Sequence, residues 1–204
     1  MTGSARKKDR RPHSGEVRVI GGMWRSRRIG FPSLEGLRPT PDRVRETLFN
    51  WLGQHIDGFR CLDLYAGSGA LGFEALSRGA SQVVMVEREP SAFVALGKNA
   101  QVLGAVGLEL VRGDALEFAA RLNATAARSE PRCVSPRFDV IFLDPPFGMG
   151  ISSGLLALLP ALLAKGGRAY VESGQVVNPP APWVVERRGR AGQVHFQLMR
   201  LETT

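Results

Sequence analysis

The sequence predicts a Rossmann-like α/β domain carrying a small β-hairpin at its front. Three observations predict it: from Arg60 onward short apolar runs alternate with helical stretches; a glycine-rich turn, GSGALG, follows the first run; and the last two runs have no helix between them. Strands separated by helices imply right-handed crossovers and a parallel sheet covered on both faces. Strands are expected at 61–64, 83–87, 108–111, 140–143 and 169–172, and helices beginning near Ala70, Pro90, Ala115 and Leu155. Two final strands at 183–188 and 194–201, joined around Gly189 to Gly192, should pair antiparallel at the sheet edge.

Upstream, 16–31 reads as a strand, a Gly21-Gly22 turn and a second strand, an appendage that displays its arginines on one face. The next helix is expected to have Thr40 as N-cap and Pro41 at its first position, with Val44, Leu48, Trp51 and Leu52 at helical spacing. The expected organisation is a basic, disordered leader over 1–15, a hairpin over 16–36 and the main domain over 37–204. The stretch 123–137, rich in Ala, Arg, Ser and Pro, reads as a surface loop. Trp24, Trp51 and Trp183 read as packing residues, and His195 as part of an edge strand.

At 204 residues, 44% of them hydrophobic and 23% charged, the chain suits one well-buried core. No apolar run reaches the roughly 18 residues of a membrane span, and the basic N-terminus lacks an apolar signal region, so a cytoplasmic location is expected. Cys61 falls in a strand and Cys133 in a loop, giving neither a disulfide framework nor a metal site. Of the net charge of +8, Met1 to Arg28 carry +7. Such a concentration favours a polyanion partner, because neutralising phosphates releases counterions. Nucleic acid is the obvious polyanion, and Arg18, Arg25, Arg27 and Arg28, interleaved with Val17, Val19, Ile20, Met23 and Trp24, are the candidates to meet it, as RNA-binding residues if the nucleic acid is RNA.

CLDLYAGSGALGFEAL places Gly67, Ser68, Gly69 and Gly72 between the first strand and its helix, where glycines let backbone approach a ligand at a helix N-terminus. Glu87 follows Gly67 by 20 residues, at the end of the second strand, where an acid can hold ribose hydroxyls. Alone, this pattern equally fits a nicotinamide oxidoreductase. Asp63 before the loop and Asp114 after the third strand favour a different ligand. Several carboxylates oppose a pyrophosphate but suit S-adenosyl-L-methionine, a sulfonium cation with an ammonium, a ribose and an adenine amino group. Asp63 would orient the amino acid portion, Glu87 the ribose and Asp114 the adenine. Tyr65, Ala66, Arg88, Gly113 and Ala115 flank these positions and complete the expected cofactor set. The competing structural reading makes Asp63 a loop organiser and Asp114 a helix cap.

After the fourth strand comes FDVIFLDPPFGMG, at the strand end where open α/β sheets bind ligands. An exocyclic amine conjugated to a base ring is a poor nucleophile because its lone pair is delocalised. The Asp144 carboxylate and the Pro145 carbonyl, stiffened by Pro145 and Pro146, could accept its two N–H bonds and free that lone pair. Phe147 could stack on a base turned out of its helix. A proline-rich turn with a capping Asp and a core Phe is the plain alternative. The same acceptor geometry would also serve adenine-N6.

Together, RVIGGMWRSRRIGFPSLEGLRPTPDRVRETLFNWL, LDLYAGSGALGFEALSRGA, VERE, RGDA, DPPF and AGQV resemble the RsmD family of ribosomal RNA small-subunit guanine-N2 methyltransferases, from Val17 to Leu201. The resemblance implies a class I S-adenosylmethionine-dependent methyltransferase fold, a seven-stranded sheet with the last strand antiparallel. It implies methyl transfer to a guanine N2 in 16S ribosomal RNA, within an assembled or nearly assembled small subunit, with S-adenosyl-L-homocysteine as product. A monomer needing no metal is expected. From the family's LRPT.DRVRE pattern, matched by Leu37 to Glu46, Thr40 and Arg43 become expected cofactor contacts and Arg38 and Arg45 candidates for RNA phosphate, while Asp144 of DPPF is expected to touch both cofactor and base. The leader and the 123–137 stretch depart from the pattern.

Overall fold

The computed structural model describes residues 14–202, apart from 35, 38, 129–136 and 147. The leader as far as residue 13, together with Arg38, Cys133 and Phe147, lies outside the described residues. Strands β1 (Ser14–Arg18) and β2 (Arg28–Pro32) form an antiparallel pair joined through a 3-10 turn at Gly22–Trp24. After α1 (Asp42–Leu52) the chain alternates through β3 (Arg60–Asp63), α2 (Ala70–Ser77), β4 (Gln82–Glu87), α3 (Pro90–Leu103), β5 (Leu108–Arg112) and α4 (Ala115–Arg128). It continues through β6 (Phe138–Leu143), α5 (Ser153–Leu162) and β7 (Leu163–Ser173), and closes with β8 (Trp183–Ala191) and β9 (Val194–Leu201).

These last seven strands form one sheet in the order β5-β4-β3-β6-β7-β9-β8. The first five run parallel, and β9 lies antiparallel to both β7 and β8. The chain builds outward from β3 to β5 and then returns to place β6 on the other side of β3. That reversal opens a crevice at the C-terminal ends of β3 and β6, where such sheets bind ligands. The glycine loop and Asp144 leave the sheet at those two ends.

The pleat sorts apolar side chains into two cores. Val83, Met85, Val140 and Phe142 face α1, α2 and the hairpin; Val84, Val86, Ile141 and Leu143 face α4 and α5. Helix starts follow local chemistry. Pro90 opens α3, Ser152 Oγ accepts from Leu155 N at 3.1 Å before α5, and Asp114 Oδ1 accepts from Leu116 N and Glu117 N at 2.9 and 3.2 Å before α4.

Four expectations are corrected. Pro41, not Thr40, occupies the N-cap position of α1, and no side chain caps it, because the Thr40 hydroxyl is engaged elsewhere. The hairpin is no appendage: Val17, Val19, Trp24 and Ile29 are buried in the core shared with α1 and α2, and Asn99 of α3 brackets Gly30 through its N–H and carbonyl at 3.1 and 2.8 Å. Part of the expected loop, from Asn123 to Arg128, is helix belonging to α4. His195 is the second residue of β9, an interior strand, since β8 forms the edge. Trp24 and Trp183 are buried, and Trp51 stacks on Phe196 with centroids 5.3 Å apart, so all three tryptophans pack.

Candidate active site

The β3–α2 loop turns through Gly67 (φ 53°) and Gly69 (φ 81°), both left-handed. A Cβ on Gly69 would stand 2.6 Å from the side chains of Leu96 and Phe73, so that position requires glycine for both conformation and space. Ser68 Oγ accepts from Ala70 N at 3.3 Å at the start of α2. Glu87 then ties the loops together: its carboxylate accepts from Gly67 N at 2.8 Å and Glu89 N at 2.7 Å, while its carbonyl accepts from Gly113 N at 3.1 Å. Backbone at the ends of β3, β4 and β5 thus converges on one acid. Ala66, in the β3–α2 loop, and Ala115, the first residue of α4, are both buried. Tyr65 is partly buried, and its hydroxyl is raised by burial and by the Asp114 charge and lowered by Arg88, which places these three side chains in one neighbourhood.

A second group of carboxyls lies at the ends of β3, β6 and β7. Asp63 is buried and receives Tyr65 N at 3.4 Å. Burial first, then the charges of Asp144 and Glu87, push it up to about 7, against the backbone amides of Tyr65 and Gly72. Asp144 follows β6 directly, and its Oδ2 accepts from Thr40 Oγ1 at 2.9 Å. Burial raises it to about 6, and the Thr40 hydroxyl opposes the rise. Leu143 pairs with Val171, so the next residues, Asp144 and Glu172, stand side by side. Glu172 is buried, accepts from Tyr170 Oη at 2.9 Å, and is pushed up to about 8 by burial and then by Asp144. The hydroxyls of Tyr170 and Thr40 pull it down, and Asp63 adds to the rise. Burial and mutual repulsion thus raise all three neighbouring carboxyls, which share their protons as one coupled group.

The structure brings together Thr40, Asp63, Gly67, Ser68, Gly69, Glu87, Asp144 and the buried Pro145; Pro146 is exposed at the rim. Arg43 is exposed on α1. The observed bonds of Asp114 are those of a helix cap, as the structural reading allowed. Arg45 is overturned as an RNA contact. It is fully buried and donates to Glu74 Oε2, Asp42 Oδ1 and the carbonyls of Thr40 and Arg18. Arg18, Arg25, Arg27 and Arg28 are exposed, Arg18 paired with Asp42 and Arg28 with Glu16, each at 3.0 Å, while Arg27 donates to Val102 O at 3.0 Å. Sequence reasoning missed Glu172, Tyr170 and Glu74. Glu172 had a usable signal, for it ends an apolar strand with an acid, as Asp63 and Glu87 do.

A glycine cradle and a row of acids at the switch point of this sheet define the class I methyltransferase architecture, which the chain shares with a ribosomal protein L11 methylase from Lactobacillus delbrueckii at 17% identity and TM-score 0.56, over 82% of this chain and 83% of that one. The model of the family described as Conserved hypothetical protein 95 matches residues 17–200, and the chain belongs to that family, the RsmD family. The ribosomal RNA small subunit methyltransferase D of Escherichia coli is 41% identical over 202 residues, covering 96% of each chain. Its Haemophilus influenzae counterpart is 39% identical over 190 residues, 90% of this chain and 93% of that one. A solved structure from Escherichia coli superposes with TM-score 0.76 at 38% identity, covering 93% of this chain and 100% of the other.

Proposed function

We propose that this chain transfers a methyl group from S-adenosyl-L-methionine to the exocyclic N2 of a guanine in 16S ribosomal RNA of the small subunit. The observation that carries the reading is the Asp144-Pro145 turn, with the acid anchored by Thr40 and set beside the buried Glu172. The names of the relatives, small subunit ribosomal RNA methyltransferases, support the substrate class.

The residues present fit the donor. Gly67 and Gly69 hold the loop backbone open, Glu87 is fixed by two amides so that its oxygens can also take ribose hydroxyls, and Tyr65, Arg88 and Asp114 share the neighbourhood suited to an adenine. Asp63 faces the loop from below and suits the ammonium. When bound, the sulfonium supplies an activated methyl group, so the protein needs to position and polarise rather than activate a leaving group.

Thr40 occupies Asp144 Oδ2, which leaves Oδ1 to accept one amine hydrogen, while the Pro145 carbonyl accepts the other. Two acceptors draw the nitrogen toward a pyramidal geometry and turn its lone pair to the methyl group. As the new N–C bond would form, the S–C bond to the methyl group would break with its electron pair left on sulfur as S-adenosyl-L-homocysteine, and the nitrogen would shed a proton to Asp144 Oδ1, whose raised basicity suits it for the task. Phe147 is proposed to stack on the extruded base, Arg43 to close over the donor, and Arg18, Arg25, Arg27, Arg28 and Arg38 to meet RNA phosphate. The test is to incubate the protein with tritiated S-adenosyl-L-methionine and unmethylated small subunits, then digest the RNA to nucleosides. Labelled N2-methylguanosine at one site is expected. Label in N6-methyladenosine would overturn the base, and label absent from all RNA would overturn the substrate.

A further inference from the structure

Arg45 is the largest of the fully buried side chains, and its guanidinium fork binds in four directions. Nε donates to Thr40 O at 3.1 Å; Nη1 to Glu74 Oε2 at 3.1 Å; Nη2 to Arg18 O at 2.8 Å and to Asp42 Oδ1 at 2.5 Å. Glu74, also fully buried, further accepts Arg78 Nε and Ile20 N, both at 2.8 Å. One cation therefore joins α1, α2, the end of β1 and the segment leading into α1. That segment contains Thr40, held at its carbonyl by Arg45 and donating its hydroxyl to Asp144 at 2.9 Å.

A buried ion pair is a weak source of net stability, because desolvation offsets its attraction, whereas it can fix orientation. The geometry here points to orientation. Thr40 gives up the helix-capping role for which its side chain suits it, and its hydroxyl instead reaches a carboxylate 104 residues away in sequence. The Arg18 backbone, in the hairpin, hangs from the same Nη2 that holds Asp42.

We infer that Arg45 is a positioning residue for methyl transfer: it fixes the Thr40 backbone so that the Thr40 hydroxyl holds the Asp144 carboxylate in its accepting orientation, and it ties that orientation to the seat of the hairpin. The inference rests on the reading of Asp144 as the acceptor. The groups facing Asp144 are Thr40, Asp63 from β3 and Glu172 from β7, with Tyr170 beyond Glu172.

Lysine at this position keeps the charge for Glu74 but lacks the planar fork, so it cannot serve Thr40 O, Arg18 O and Asp42 together. In the full chain, Arg45→Lys is expected to lower kcat about tenfold or more, to leave S-adenosyl-L-homocysteine affinity within about threefold, and to move the acid limb of kcat to higher pH, because the Thr40 bond that favours ionised Asp144 is loosened. Thr40→Val should shift the limb the same way, Thr40→Ser should restore it, and the Arg45→Lys/Thr40→Val double variant should do little more than either single one, as expected within one network. Asp42→Asn, changed on the exposed side of the network, should move the limb in the same direction by less, and it covers the case in which Arg45→Lys does not fold. A lowered melting temperature with kcat and acid limb unchanged in Arg45→Lys, or an unmoved limb in Asp42→Asn, would overturn the inference and leave Arg45 as structural only. Carbon-13 titration of Asp144 in the isolated chain reads the same coupling without RNA, so it judges Arg45 even if the base proves to be other than guanine. Full activity of Asp144→Ala would instead sink the reading on which the inference rests.

Discussion

The carboxyls at the ends of β3, β6 and β7 and the arginines of the hairpin are both concentrations of one charge, and the fold treats them oppositely. Asp63 and Glu172 are buried, Asp144 is partly so, and burial is the first cause of the upward shift in all three. Arg18 and Arg28 lie in water with exposed partners, their side chains 58% and 71% exposed. Surface pairs of that kind contribute under about 1 kcal/mol and exchange readily for another anion. The difference teaches what each charge is for. A carboxylate that must accept hydrogen bonds at one nitrogen has to be held still and kept basic, whereas a guanidinium that must find a phosphate gains from remaining mobile and solvated.

The contrast breaks most directly at Asp144. Asp144→Ala is expected to lower kcat at least about 100-fold, the scale of removing one preorganised electrostatic group, while S-adenosyl-L-homocysteine affinity changes by less than about threefold. Initial rates at saturating donor and a calorimetric titration check the two halves. A retained rate would mean that the Asp144 carboxyl is only structural. Next in size is Gly69→Ala, which forces a left-handed alanine against Leu96 and Phe73. A cost of about 1–3 kcal/mol is expected from overpacking and strain, seen as a lower chemical-denaturation midpoint together with weakened donor binding.

The pH response sharpens the same contrast. Activity should rise with pH through about 6 as Asp144 ionises, and should be perturbed above about 8 as Glu172 adds a second charge beside it. Stability should run the other way. Native carboxyls held above their unfolded values of about 4 bind more protons than the unfolded chain. Their contribution is therefore fully present below pH of about 4 and is lost as pH rises through the native values of about 6 to 8. The melting temperature of the ligand-free chain should be higher at pH 6 than at pH 8.5, and Glu172→Gln should flatten the difference. An equal slope in that variant would remove Glu172 from the account.

Much of this was legible in the sequence, because period and punctuation sit together. The alternation after Arg60, the glycines at 67 and 69 and the acids ending β3 and β4 each state a local requirement, and the sheet order gathers them. Asp144 was legible because two prolines leave its turn few conformations. What stayed hidden was long-range pairing. Thr40 looks like a helix cap until β6 brings Asp144 to it, and Arg45 looks like a surface arginine until Glu74, a buried acid on a largely apolar helix, supplies its counter-charge. The hairpin looked detachable because Val17, Val19 and Ile29 are too few to form a core alone; α1 and α2 supply the rest.

The smallest expected effect falls on the hairpin. Arg25 is exposed, and its removal leaves the buried Trp24 beside it in place. Arg25→Ala should raise KM for the RNA substrate by less than about tenfold and reduce the slope of log affinity against log salt by about one, the signature of one lost phosphate contact. Arg28→Ala should do less, because that arginine must first leave Glu16 to reach a phosphate. Binding measured across a salt series separates the two. If Arg28 carried the larger slope, the pair with Glu16 would be holding it in the orientation that RNA requires, and the hairpin would resemble the buried site more than its exposure suggests.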